Sequence, residues 1–253
     1  MASPVRPNAL VTGGSRGIGA ATSLRLAAAG FRVAVNYHSN RAAADEVVAK
    51  IEADGGSAIA VRGDVRAADD AAALIEQAAP DGRLDALVCN AAAASFVPTP
   101  LGSLPWSDFH AKVADELAGV YSLAQRALGL MAEQQHGSIV FVSSTVADGP
   151  PAPGMAAHGT AKAALNTFAR FLACEAGPLG VRVNVVAPGF VRTEASAGIP
   201  EALQRHLADR APLRRVAEAE DVARAIAMLI GDDAGFVTGA VVPVDGGSTV
   251  SRM

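Results

Sequence analysis

The chain has 253 residues, of which 51% are hydrophobic, so it can bury a large core, as expected for one α/β domain. Its 21 Lys and Arg are balanced by 25 Asp and Glu, and the formal net charge of −4 argues against nucleic acid or an anionic membrane as partner. No apolar run reaches the roughly 18 residues of a membrane-spanning helix, and the start, MASPVRPN, lacks the apolar core of a signal peptide. We therefore expect a cytoplasmic protein that acts on a small molecule.

The stretch Leu10–Gly19, LVTGGSRGIG, joins a predicted buried strand at 9–11 to a helical pattern that runs from Ile18 to Gly30. Glycine accepts positive φ in so sharp a turn. Bare backbone also lets a phosphate approach the N–H groups at the start of the helix. Placed near the N-terminus between strand and helix, the stretch predicts a dinucleotide site, although its glycine spacing is tighter at its end than G-x-G-x-x-G.

Strands and helices alternate along the rest of the chain. Further strands are predicted at 31–36, 58–61, 84–89, 138–143, 181–186 and 240–244. Further helices are predicted at 42–53, 69–79, 106–135, 155–176 and 218–230. This alternation predicts parallel strands joined by right-handed crossovers, and hence a doubly wound sheet in one domain spanning 1–253. The segment 188–212 is predicted to be a mobile helical flap, and both cysteines, Cys89 and Cys174, are expected to be small buried apolar residues.

The residues after the second strand favour NADP(H) over NAD(H). An NAD site usually has an acid about 20 residues after the glycines, bound to the ribose 2′-hydroxyl. Here the segment from Asn36 to Arg41 has no acid, and the first one is Asp45. Arg16, with His38 or Arg41, could bind a 2′-phosphate.

The motif TGGSRGIG resembles the cofactor loop of the short-chain dehydrogenase/reductase family. Asp64-Val65 is similar to the pair that brackets the adenine ring, and Ala187–Glu194 (APGFVRTE) to the segment that faces the nicotinamide; Val244–Gly247 (VDGG) resembles the family's C-terminal turn. The resemblance implies a single Rossmann-like domain with seven parallel strands, and homo-oligomers, often tetramers, packed through the two long helices. The cofactor-binding residues that it implies, together with those singled out above, are Gly13, Ser15, Arg16, Gly17, Ile18, Gly19, Asn36, His38, Asp64, Val65, Asn90, Ala91, Lys162, Pro188, Gly189, Val191 and Thr193.

The family's catalytic tetrad of Asn, Ser, Tyr and Lys is only partly present. Lys162 is in place and Ser144 fits the serine. The position four before Lys162, on the same helix face, holds His158 instead of tyrosine, and Glu116 stands where the family has asparagine. Ala92 adds a methyl group where the family has the glycine of N-N-A-G.

Three interpretations of His158 follow. In the first, His158 is a replacement acid/base, since imidazole titrates near pH 6.5. Its pKa would be lowered by Lys162 or raised by Glu116. Alternatively the tyrosine has been lost, and the chain is a redox-silent relative, a partner subunit or a cyclase or dehydratase. A hydrolytic triad of Ser144, His158 and Glu116 would need an oxyanion hole, which nothing in the sequence supplies.

The expected function is thus NADP(H)-dependent oxidation or reduction at a CH–OH/C=O group, with an altered catalytic centre and no metal. The substrate is expected to meet the segments 93–105 and 194–212. Their apolar residues, among them Phe96, Leu101 and Ile199, are equally compatible with an apolar substrate and with ordinary packing.

Overall fold

The computed structural model describes residues 6–92, 96–149 and 152–250. Its strands are β1 Asn8–Val11, β2 Arg32–Tyr37, β3 Ser57–Arg62, β4 Ala86–Cys89, β5 Gly137–Val142, β6 Val181–Pro188, β7 Val191–Arg192, β8 Ala217–Glu218 and β9 Val241–Val244. Its α-helices are α1 Gly17–Ala28, α2 Arg41–Ala53, α3 Ala68–Ala78, α4 Trp106–Gln134, α5 Ala156–Ala176, α6 Glu201–Arg210 and α7 Ala219–Ile230.

Seven of these strands form one parallel sheet in the order β3-β2-β1-β4-β5-β6-β9. The strand order reverses direction between β1 and β4, and in sheets of this kind ligands bind beyond the carboxyl ends of the strands at that point. The predicted single-domain, Rossmann-like, doubly wound fold is confirmed.

Both faces of the sheet are covered by helices, which is why strands such as β1 and β5 are buried along their whole length. On one face, α3, α4 and α5 pack around residues such as Leu123, Phe141 and Leu165. On the other, α1, α2 and α7 pack around residues such as Leu26, Ile51 and Ile226.

Two details differ from the sequence predictions, a second sheet and the exposure of Cys174. The second sheet is two-stranded and parallel and joins β7 to β8. The predicted helical flap does contain a helix, α6, for which the structure shows no buried residue. Cys89 is buried in β4 as expected, but the prediction for Cys174 is wrong, because this residue lies on the exposed face of α5. In the described ranges, no helix is both long and apolar enough to cross a membrane.

Candidate functional site

The glycine turn between β1 and α1 is held in a conformation that excludes larger residues. Gly13 has φ +60°, and a Cβ at this position would lie 3.0 Å from the Cα of Ala91. At Gly17, where α1 begins with φ +51°, a Cβ would lie 3.2 Å from Cγ2 of Thr193. The backbone of this turn is therefore bare on the side towards β4 and towards the segment after β7.

The first turn of α1 has free N–H groups, as every helix N-terminus does. No described side chain caps it, and it contains no acidic residue. Its partial positive charge is thus left for an anion to approach.

Polar side chains at the ends of neighbouring strands hold the glycine turn in place through hydrogen bonds. The buried Asn36 accepts a hydrogen bond from the Gly13 amide (3.1 Å) and donates to the carbonyl of Gly63 (3.1 Å). Thr12 Oγ1 accepts from the amides of Asn90 (2.9 Å) and Ala91 (3.0 Å), tying the ends of β1 and β4 together. The side-chain amide of Asn90 donates to the carbonyls of Thr12 (3.0 Å) and Gly13 (3.2 Å). Asn36 and Asn90 therefore position the turn, a role that the sequence did not reveal.

A cavity of about 690 Å³ extends from this turn along the carboxyl ends of β1 to β4. Its described lining is Gly13, Ser15, Arg16, Gly17, Ile18, Asn36, Tyr37, His38, Ser39, Asn40, Gly63, Asp64, Val65, Arg66, Asn90, Ala91, Ala92, Thr193, Glu194 and Ala195. Twelve of the seventeen predicted cofactor residues are thus brought together. The other five, which do not belong to that lining, are Gly19, Lys162, Pro188, Gly189 and Val191.

The far end of the cavity is charged. The guanidinium of Arg66 binds Asp64 (2.7 Å) and lowers the pKa of that carboxyl to about 2, and it also reaches Asp115 on α4 (3.4 Å). His38 Nδ1 lies 3.7 Å from Asp64. Arg66 was missed by the sequence reasoning.

Of the two arginines considered for a 2′-phosphate, only one lines the cavity. Arg41 turns away to pair with Asp45 at 3.2 Å on α2. Arg16 is exposed at the cavity.

The predicted catalytic residues surround a buried ion cluster between α4 and α5. Glu116 Oε1 accepts a hydrogen bond from Lys162 Nζ (2.5 Å), and its Oε2 accepts one from Lys112 Nζ (2.8 Å). Lys162 Nζ also donates to the carbonyl of Val142, at the end of β5 (2.8 Å). All three charged side chains are buried.

The charges in this cluster support one another. Burial acts to raise the pKa of Glu116, but the ammonium groups of Lys162 and Lys112 hold that pKa below its ordinary value. Burial lowers the pKa of Lys162, and the carboxylate of Glu116 opposes this effect. A carboxylate between two ammonium groups leaves the cluster with one net positive charge.

His158 lies under the ring of Phe96, with the ring centroids 5.1 Å apart and the planes at 27°. Its Nδ1 is buried and meets no hydrogen-bond partner among the described residues. Burial, then the charges of Lys162 and Lys112, lower the pKa of His158 to about 4. Burial is the largest cause of this lowering, and the carboxylate of Glu116 acts in the opposite direction.

Ser144 precedes the 3₁₀ turn Thr145–Ala147 and accepts a hydrogen bond from the Val146 amide (3.3 Å). Its neighbour Ser143 is buried, and its hydroxyl donates to the carbonyl of Lys162 (3.4 Å). In the described ranges no hydrogen bond joins His158 to Ser144 or Glu116, so the structure gives no support to a hydrolytic triad.

The comparison with known proteins assigns this architecture to a family. The sequence model of the enoyl-(acyl carrier protein) reductase family matches residues 13–249, which includes the glycine turn, the ion cluster and β9. The chain belongs to the short-chain dehydrogenase/reductase family.

Curated members of the family match almost end to end. An uncharacterised oxidoreductase of Methylorubrum extorquens is 41% identical, covering 94% of this chain and 96% of the relative. A 3-oxoacyl-[acyl-carrier-protein] reductase of Synechocystis is 40% identical (94% and 95%). A cis-4-hydroxycyclohexanecarboxylate dehydrogenase of Sinomonas cyclohexanicum is 39% identical (95% and 96%). These short-chain dehydrogenase/reductase proteins are all named as oxidoreductases, reductases or dehydrogenases.

Proposed function

We propose that the chain binds NADP(H) and oxidises or reduces a CH–OH/C=O group with an altered catalytic centre. The observation that carries the proposal is the glycine turn, whose bare backbone and uncapped helix N-terminus border the 690 Å³ cavity. A pyrophosphate suits these N–H groups. When bound, the dinucleotide supplies or accepts a hydride.

The preference for NADP(H) over NAD(H) rests on charge. Arg16 and His38 line the cavity, and the segment after β2 carries no carboxylate that would repel a 2′-phosphate. The carboxylate of Asp64, which also lines it, is neutralised by Arg66.

The structure suggests a role for His158 other than that of an acid. A neutral imidazole donates from one ring nitrogen, so His158 suits a hydrogen bond to a carbonyl oxygen. That bond and the net positive cluster behind it would stabilise the negative charge that develops on this oxygen. With a pKa of about 4, His158 is neutral at pH 7 and does not act as the acid, so the alkoxide left by hydride transfer takes its proton from solvent water.

The same lowered pKa favours a second candidate function. A group whose pKa lies far below the working pH is a poor general acid. A relative that binds the cofactor without reducing carbonyls, as a partner subunit or a cyclase- or dehydratase-type enzyme, would have no need of that acid.

The deciding experiment follows the absorbance of NADPH with a panel of ketones, including a 3-oxoacyl thioester and a cyclic keto acid, because relatives carry those substrates in their names. If the proposal holds, His158→Ala lowers the rate roughly 10²- to 10³-fold, the effect of removing one oxyanion donor. His136→Ala, an exposed histidine, is the control and leaves the rate unchanged. The wild-type rate is flat between pH 5 and 8.

His158→Tyr separates the two candidates. If it abolishes an existing activity, imidazole is the working group. If it creates carbonyl reduction in a protein that had none, the redox-silent interpretation is right. If neither His158 variant changes an existing activity, the group that serves the carbonyl oxygen lies elsewhere, with Ser144 and a bound water first to test.

We also expect a cytoplasmic homo-oligomer, dimer or tetramer, packed through α4 and α5. Tyr121 and Phe171 on these helices are 54% and 69% exposed. An exposed free thiol at Cys174 suits a reducing compartment.

A further inference from the structure

The use of lysine in this chain is unusual. Of its 21 basic residues only three are lysines, Lys50, Lys112 and Lys162. Lys50 is exposed on α2. The other two lysines are buried on the two oxygens of one carboxylate, that of Glu116.

The ion pair between Lys112 and Glu116 therefore differs from an ordinary pair on a helix surface. Lys112 precedes Glu116 by one turn of α4, a spacing that on an exposed surface stabilises a helix only weakly. Here the Lys112 side chain is 7% exposed and the Glu116 side chain 3%. Removing either partner of a buried pair leaves an uncompensated charge.

We propose that Lys112 is a positioning residue, which fixes Oε2 of Glu116 so that Oε1 faces Lys162. The geometry leaves Glu116 no free oxygen, because each of the two accepts an ammonium hydrogen bond. Lys162 is in turn fixed between Glu116 and the Val142 carbonyl. The Lys162 ammonium group has three N–H groups, and one of them then remains to donate a hydrogen bond in the candidate catalytic site.

Lys112 also influences His158. The charged groups that act on this imidazole are Lys162 and Lys112, which favour its neutral form, and Glu116, which favours the protonated form. Without Lys112 the cluster loses its net positive charge, and an oxygen of Glu116 loses its partner. The neutral imidazole, on which the proposed function depends, is then less favoured.

The first test measures the titration of His158 by NMR of ¹⁵N-histidine, with His158→Phe to assign its signal. In Lys112→Met the midpoint moves up from about 4 by roughly half a pH unit or more, towards the ordinary histidine value. Lys50→Met is the matched control and leaves the midpoint where it is. An unchanged or lower midpoint in Lys112→Met overturns the proposal.

A second measurement needs no change at Lys112, in case Lys112→Met does not fold. Ammonium protons of a buried, hydrogen-bonded lysine exchange slowly with water, whereas those of an exposed lysine exchange rapidly. In ¹⁵N-lysine protein at neutral pH we expect two ammonium signals, both lost in Glu116→Gln. A single signal, or two that survive in Glu116→Gln, overturns the proposal.

Both measurements use the protein without cofactor or substrate. A failure of the proposed oxidoreductase activity therefore leaves them intact, and their failure leaves the activity to be judged on its own.

Discussion

Arg16 is the residue on which cofactor choice is expected to depend. It lies at the start of α1, is exposed at the cavity, and forms no ion pair with any described residue. In Arg16→Ala, NADPH binding weakens by about 1–3 kcal/mol, the value of a charge-assisted hydrogen bond, while NADH binding changes little. Titration calorimetry with both cofactors measures this difference.

The matched control for this prediction is Arg41→Ala. Arg41 is a nearby surface arginine that pairs with Asp45 and does not line the cavity, so its removal leaves the affinity for NADPH unchanged. Equal affinity of the wild-type protein for NADPH and NADH would contradict the assignment of a 2′-phosphate site.

For single residues, the sequence identified candidate site residues better than it predicted the environment of each one. Glu116 and His158 stand out because they depart from a motif. Lys112 has no motif, and a lysine one turn before a glutamate predicts a surface pair. Lys112 is buried on a helix that packs against α5, and no local pattern contains such a tertiary contact. The one available signal was composition, since lysine is rare in this chain.

Helix α6 is the one α-helix of the described residues that buries no side chain. The structure shows no buried residue in Glu201–Arg210, whereas α7 buries Val222, Ile226 and Leu229, among others, against the sheet and α1. Segments with few buried contacts open at low free-energy cost. We therefore expect the amides of α6 to exchange with deuterium much faster than those of α7.

Hydrogen exchange followed by mass spectrometry tests this directly, with α7 as the internal reference. The two helices have similar lengths, 10 and 12 residues, so length does not explain a difference. Equal protection of α6 and α7 would show that the flap is a fixed part of the domain.

The long elements were predictable from periodicity, because runs of buried residues and helical patterns extend over many positions. The pair β7 and β8 was not, since each has only two residues. The ladder pairs Val191 with Ala217 and Arg192 with Glu218, residues that lie 26 positions apart in the chain. Local sequence does not encode a contact over that separation.

For the whole molecule, the pKa of His158 predicts how stability depends on pH. Folding lowers that pKa from the ordinary value of 6.5 to about 4. Between these values the unfolded chain binds a proton that the folded chain does not, so stability falls as the pH drops from 6.5 to 4. Above pH 6.5 the His158 imidazole is neutral in both the folded and the unfolded chain, so its lowered pKa no longer reduces the free energy of unfolding.

Urea unfolding at a series of pH values measures this effect. In His158→Phe the loss of unfolding free energy between pH 6.5 and 4 is smaller than in the wild type, whatever the constant effect of the substitution. In His136→Phe, an exposed site, the loss matches that of the wild type. Parallel profiles for wild type and His158→Phe would mean that the imidazole titrates normally.

Cys174 gives the molecule a built-in reporter of association. Its thiol lies on the exposed face of α5, one helical turn after Phe171. Cys89 is inert by comparison, because burial in β4 raises the pKa of its thiol. An alkylating reagent is therefore expected to react with only one cysteine of each chain, Cys174. If a second copy packs along α4 and α5, the rate of alkylation falls as the protein concentration rises.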